Sequence, residues 1–181
     1  MNIETERIII RDPIAEDWHG ALSFLADRDV MRWIHLEPEP FTEAQARQWI
    51  ADLIFHNAQV PPTSHNSMII ERASGKIIGW IGIGTPSPDR AHVGDLDFGY
   101  ALAQSHWRKG YMTEAVRGMF AFAFDKRDVN TLFAICETRN TGSYRVMEKA
   151  GMMRREQFSE PPKEMYLYTI SRAEWEATNS K

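Results

Sequence analysis

The chain has 181 residues, 43% of them hydrophobic, enough for one domain with a real core. A net charge of -4 argues against general nucleic-acid binding, and the single cysteine, Cys136, excludes an intrachain disulfide framework or a cysteine zinc site. No window reaches membrane-spanning length, and the start, MNIETERIII, lacks a basic segment followed by a long apolar one, so a cytoplasmic protein with no membrane partner is expected.

Ile3 to Arg11 reads as a first strand with Ile8 to Ile10 at its centre, stopped by Asp12-Pro13. Glu16 to Leu25 and Asp29 to Ile34 read as helices. His35 to Phe41 is expected to be extended, because Pro38 and Pro40 disfavour helix there. Thr42 is an N-cap for a helix with Ala46, Trp49, Ile50, Leu53 and Ile54 on one face. Asn57 to Asn66 reads as a loop. Ser67 to Glu71 and Lys76 to Gly84 form a hairpin through Ala73-Ser74-Gly75. Val93 to Ala103 is a third core strand. The helix that follows carries a stripe of Ala115, Val116, Met119, Phe120 and Ala123. Leu132 to Cys136 suits a strand buried on both faces, and Asn140 to Ala150 a helix stopped by Gly151. Met165 to Ile170 and Ser171 to Ala177 close the chain as strand and helix. This order describes one α/β domain.

The segment His106 to Ala115, HWRKGYMTEA, places a glycine and two basic residues at a strand-to-helix turn. Such a turn aims free backbone N–H groups at one spot, and the helix dipole makes that spot favour an anion such as a pyrophosphate. A second strand-to-helix unit ends at Asn140, a helix N-cap, with Ser143 one turn on. Ligands in such sheets gather where the carboxyl ends of strands diverge. The histidines, His19, His35, His56, His65, His92 and His106, show no metal-ligand spacing, so no metal is expected.

On these residues the chain resembles the GCN5-related N-acetyltransferases (GNAT), in the subgroup that includes the ribosomal-protein alanine and serine N-acetyltransferases. TERIIIRD, DFGYAL, HWRKGYMTEAV, NTGSYRVMEKAGM and YLYTISRAEW carry the resemblance, which covers nearly the whole length. It implies a GNAT fold over residues 1–181: a single mixed, mostly antiparallel sheet with a splayed central parallel strand pair, flanked by helices. It implies acetyl-CoA as cosubstrate and direct passage of its acetyl group to a primary amine, with a protein N-terminal amine favoured. A polyamine or aminoglycoside acetyltransferase and a CoA-binding module without turnover stand as alternatives. A homodimer is compatible with the chain.

By position, the resemblance gives the CoA pyrophosphate to the backbone of Trp107, Arg108, Lys109, Gly110, Tyr111 and Met112. It gives the pantetheine amides to Tyr100, Ala101 and Leu102, and the thioester flank to Asn140 and Ser143. Arg108 stands where the subgroup often has a glycine, and Met147 where many relatives have a catalytic tyrosine. Ser143 is therefore the candidate acid, and Asp97 the candidate base, acting directly or else ordering a water chain or binding the acceptor's ammonium. Asp95 shares the face of Asp97, and Glu137 ends the neighbouring strand. Cys136, inside an apolar run, is a poor nucleophile. In this family the acceptor enters between the early helices and the last hairpin, here His35 to Thr42 and Phe158 to Met165. The acids Glu37, Glu39, Glu43, Glu160 and Glu164 lie there, and Trp33 and His35 are candidate wall residues. Trp18, Trp49, Trp80 and Trp175 are assigned to packing or surface.

Overall fold

Residues 1–34, 40–60, 64–126 and 129–179 are described in the computed structural model of the chain. The N-terminal segment folds as two strands, β1 (Asn2–Glu4) and β2 (Ile8–Arg11), where the sequence suggests one. The Thr5 N–H and hydroxyl both donate to the Ile8 carbonyl, at 3.0 and 3.1 Å, so the chain doubles back and Ile3 pairs with Ile10. Helices α1 (Trp18–Leu25), α2 (Arg28–Met31) and α3 (Glu43–Asn57) follow. Thr42 caps α3 as expected. Its hydroxyl accepts from the Gln45 N–H, and the Gln45 side chain accepts from the Thr42 N–H at 2.8 Å, a reciprocal cap worth about 1 kcal/mol. Most of the segment expected to be extended, His35 to Glu39, lies outside the described residues, as does 61–63.

The hairpin is present as β3 (Ser64–Glu71) and β4 (Ile77–Gly84), with β3 starting inside the segment read as a loop. Then come β5 (Leu96–Leu102), α4 (Tyr111–Lys126), β6 (Thr131–Glu137), α5 (Thr141–Lys149), β7 (Met153–Glu160), β8 (Lys163–Ser171) and α6 (Arg172–Asn179). Strand β7 carries no sequence signal. MRREQFSE is exposed along nearly its whole length, so no apolar alternation marks it; its pairing with β8 makes it a strand.

The strands form one sheet in the order β1-β2-β3-β4-β5-β6-β8-β7. Side chains alternate between its faces. Ile8, Ile10, Ile69, Ile81 and Phe98 meet the expected stripe of α4, Ala115 to Ala123. Met68, Ile70 and Ala101 meet Ala21, Phe24 and Leu25 of α1 and Ala46, Ile50 and Leu53 of α3. Each fully buried Ile, Leu or Phe contributes about 1.5–3 kcal/mol. Among the described residues no helix is long and apolar enough to cross a membrane.

One pair of strands sets up the site. Neighbours are antiparallel except β5 and β6, which are parallel and meet only at Leu96–Leu132 and Asp97–Phe133. From Phe98 onward they part, while β6 stays paired with β8 as far as Glu137–Met165. The sheet is split open between β5 and β6.

Candidate active site

The register decides which β5 groups face the split. The Ala103 N–H donates to the Ile78 carbonyl at 2.8 Å, and alternate residues of an antiparallel strand turn their N–H and C=O the same way. Ala101 and Gly99 therefore bond to β4, whereas Tyr100 and Leu102 direct their backbone groups into the split. Tyr100, Ala101 and Leu102, the β5 residues expected to pair with a ligand, all line the cleft, and Ala101 turns its backbone groups to β4. The Leu102 carbonyl accepts from Trp107 Nε1 at 2.7 Å, which leaves its N–H toward the split.

The split opens into a cleft of about 880 Å³, the size of a small-molecule or cofactor site. One end is the turn between β5 and α4. Gly110 has φ +86° and Arg108 φ +61°, both left-handed. Trp107, Arg108, Gly110, Tyr111 and Met112 line the cleft, with Met112 5% exposed; Lys109 does not. The Lys109 carbonyl instead accepts from Arg7 at 2.9 Å. Arg7 also holds Glu114 in the first turn of α4, through Nε at 2.7 Å and its backbone N–H at 2.9 Å. A carboxylate there also suits the helix dipole. The turn is thus shaped from outside by β1–β2, a role for Arg7 and Glu114 that the sequence reading did not assign. Arg108 holds a conformation that costs a non-glycine residue about 1–2 kcal/mol, so Arg108→Gly is expected to raise stability by about 1 kcal/mol, read as a higher urea midpoint at unchanged slope.

The opposite wall is the start of α5. Asn140 caps it, its Oδ1 accepting from the Ser143 N–H at 3.1 Å. The Tyr100 hydroxyl reaches across from β5, 2.9 Å from Ser143 Oγ and 3.0 Å from the Ser143 carbonyl. Burial raises the Tyr100 pKa, so the phenol keeps its proton and remains a donor. Met147, at the position of the tyrosine in many relatives, is fully buried in the core. Cys136 is 6% exposed, and burial pushes its thiol up to about 11, which leaves it a poor nucleophile at neutral pH.

The three carboxylates differ sharply. Asp95 Oδ2 accepts from the N–H groups of Asn130 and Thr131, at 2.6 and 2.9 Å, and so pins the start of β6. Glu137 lines the cleft, 5% exposed and bonded to Arg139 and Lys163 at 3.0 Å each. Asp97 is half-buried and does not line the cleft. Burial raises its pKa, and the charge of Arg90 opposes that rise. Among the described residues, the acids expected at the acceptor mouth do not line the cleft: Glu43 pairs with Arg47, Glu160 pairs with Arg90, and Glu164 also stands outside it. His35, Glu37 and Glu39 lie outside the described residues. Trp33 does line the cleft. So do Trp49 and Trp80, which also pack against the core as expected.

Residues 7–153 match the acetyltransferase (GNAT) domain model. The chain belongs to the GNAT acetyltransferase family. This GNAT protein is 30% identical, over 97% of its length and 99% of the relative's, to the uncharacterized N-acetyltransferase YnaD of Bacillus subtilis (strain 168). Its fold matches that of a GNAT-family acetyltransferase from Bacillus anthracis, with a TM-score of 0.78, 28% identity, and 94% and 98% of the two chains covered. It also matches the fold of AAC(6')-Ib, solved with ribostamycin and coenzyme A, with a TM-score of 0.79 at 18% identity over 97% and 99%. GNAT enzymes draw their acetyl group from acetyl-CoA, so this protein is an acetyl-CoA-dependent N-acetyltransferase.

Proposed function

We propose that this GNAT protein transfers acetyl directly to the primary amine of a protein N-terminus, as the ribosomal-protein alanine and serine N-acetyltransferases it resembles do. The parting of β5 from β6 carries the reading. It leaves Tyr100 and Leu102 with backbone groups that no β6 residue pairs, between the N-terminus of α4 and the N-terminus of α5. An extended amide-bearing arm fits that edge as a missing strand would, with a pyrophosphate at the α4 turn. The residues that would hold acetyl-CoA are Trp107, Arg108, Gly110, Tyr111 and Met112 at the phosphates, Tyr100 and Leu102 along the arm, and Asn140 and Ser143 beside the thioester. Bound there, acetyl-CoA supplies an acyl carbon open to attack and a sulfur that can leave.

A backbone N–H in the Tyr100–Leu102 stretch serves as donor to the developing oxyanion. Ser143 Oγ donates at the sulfur. Asp97, set back from the cleft, takes the acceptor's proton through water. A distant carboxylate is a modest base, which favours an acceptor that gives up its proton easily: an α-ammonium has a pKa of about 7.7–8.0 against about 10.4 for a lysine side chain. No acetyl-enzyme is needed, and Cys136 takes no part.

This arrangement sets a pH dependence. Transfer needs Asp97 ionised, so turnover rises with pH through its raised pKa, and the acid limb of the rate profile lies above the ordinary aspartate value of about 3.9. Arg90→Gln removes the charge that holds this pKa down, so the limb moves to higher pH. A limb that stays in place removes Asp97 from the mechanism.

The function is tested by following free-thiol release from acetyl-CoA with peptides of varied N-termini, spermidine and an aminoglycoside, alongside acetyl-CoA binding. Release that depends on a peptide N-terminus is the expected result. Release only with small polyamines overturns the protein acceptor. Tight binding without release from any amine overturns the transfer itself.

A further inference from the structure

The cleft carries a second set of side chains that the transfer steps do not use. Trp80 stands on β4, and its indole lies against Gly82 of its own strand and Gly99 of β5. A Cβ on Gly82 would come within 2.9 Å of the ring, and one on Gly99 within 3.3 Å. The two glycines leave the sheet bare where the ring rests on it. Trp80 Nε1 donates to Asn66 Oδ1 at 3.2 Å, and Asn66, 7% exposed, is held by Asn57 and Ser64. Trp49 of α3 meets Trp80 edge to face with centroids 5.9 Å apart, and Phe24 of α1 meets Trp49 in the same way at 6.1 Å. The panel is therefore fixed before any ligand arrives. Trp33, Ile34 and Met165 line the same cleft.

The charges point the same way. Among the described residues lining the cleft the only carboxylate is Glu137, and Arg139 and Lys163 already bond to it. Of the cleft's guanidiniums, Arg108 and Arg145 belong to the phosphate end, and Arg32, beside the indoles, pairs with Asp29 at 3.4 Å and lies over the Trp33 ring at 5.0 Å. A polyamine or aminoglycoside would bring several ammonium groups to indoles where, among the described lining residues, the one carboxylate is the ion-paired Glu137, so their desolvation goes uncompensated. A single ammonium can sit over an indole face, and an apolar side chain beside it can pack against the indole edges.

We infer that Trp80, Trp49 and Trp33 form the acceptor subsite, and that it selects a singly charged primary amine next to a large apolar or aromatic group, as in a peptide beginning with Phe or Leu. This rests on the acetyl-transfer reading above and gives it an acceptor class. Trp80 acts as the specificity-determining residue, and Gly82 and Gly99 as the floor that lets it lie there.

The test measures kcat/KM for peptides beginning with Phe, Leu, Ser and Glu, for phenethylamine, and for spermidine and kanamycin. Binding of the Phe peptide to the CoA-loaded protein is followed calorimetrically in parallel. The Phe and Leu peptides are expected to exceed the Ser and Glu peptides and both polycations by about tenfold or more. Trp80→Leu is expected to raise KM for the Phe peptide about tenfold, a larger change than for the Ser peptide, while leaving the acetyl-CoA Kd within about twofold. Trp33→Ala, which lies outside the packed core, gives a second reading should Trp80→Leu fold poorly. Phenethylamine matching the Phe peptide upholds the subsite and identifies a free arylalkylamine as the source. A preference for spermidine or kanamycin, or an equal loss for every acceptor in both variants, overturns the subsite. Phe-peptide binding without thiol release from any acceptor upholds the subsite and overturns the transfer reading. Absence of both binding and turnover with every apolar amine overturns the subsite.

Discussion

Ser143→Ala lowers turnover about 100-fold and leaves acetyl-CoA affinity within about twofold of the parent protein. The reasoning is geometric. Ser143 Oγ lies at the N-terminus of α5, held by the Asn140 cap below and the Tyr100 hydroxyl across the split. The phenol has one proton and two acceptors, the Ser143 carbonyl and Ser143 Oγ. When it donates to Oγ, the serine's own proton can turn to an acceptor in the cleft, with the neighbouring Cys136 thiol as its resting partner. Tyr100 is thus a positioning residue that turns a weak surface donor into an aimed one, and its raised pKa keeps it protonated across the working pH range. Tyr100→Phe is expected to lower kcat about tenfold with little change in KM for acetyl-CoA, and the double variant to be no slower than Ser143→Ala alone. Additive losses would show that Tyr100 serves packing and not the hydroxyl. Unchanged turnover in Ser143→Ala would take the serine out of the chemistry and leave solvent as the proton source.

Gly110→Val is the second large effect, and it falls on binding. At φ +86° a β-branched residue is strained by about 2 kcal/mol, and its Cβ would stand 3.3 Å from Arg7 Nη2. Arg7 cannot yield freely, because it bonds to the Lys109 carbonyl and to Glu114. The turn must change shape, and with it the direction of the first N–H groups of α4. Acetyl-CoA affinity measured by calorimetry is expected to fall more than about tenfold, with a smaller fall for Gly110→Ala. Wild-type affinity in Gly110→Val would mean that the phosphates are held elsewhere, and the cations Arg145 and Lys149 on α5 would be the next place to look.

Much of this site was legible in the sequence, for physical reasons that differ by residue. Gly110 and Asn140 announce themselves, since a left-handed turn needs glycine and a helix start needs a capping side chain. The α4 stripe was readable because a helix with one buried face repeats every third or fourth residue. The double turn of β1 and β2 was hidden because its isoleucines look continuous and only Thr5 makes the bend. Strand β7 was hidden because an edge strand facing solvent on both sides has no apolar pattern to show. For Trp49 and Trp80 the sequence shows the packing role and not the cleft. A tryptophan braced by a core and a tryptophan lining a cleft leave the same mark in sequence, and here each does both. The informative sign lay in Gly82 and Gly99, which are spaced along two strands and become neighbours only when β4 and β5 pair. Arg108 had the opposite history. Its place in a glycine pattern looked like a departure, yet its backbone adopts the glycine conformation all the same.

The half-paired state of β5 has a consequence for amide hydrogen exchange. Along Gly99 to Leu102, successive N–H groups alternate between a permanent partner in β4 and the open side. In the protein without ligand, Gly99 and Ala101 should exchange slowly and Tyr100 and Leu102 quickly, a two-residue rhythm within one strand. Acetyl-CoA laid along that edge should slow only the fast pair and erase the rhythm. The strand would then report occupancy residue by residue, with no label and no catalysis.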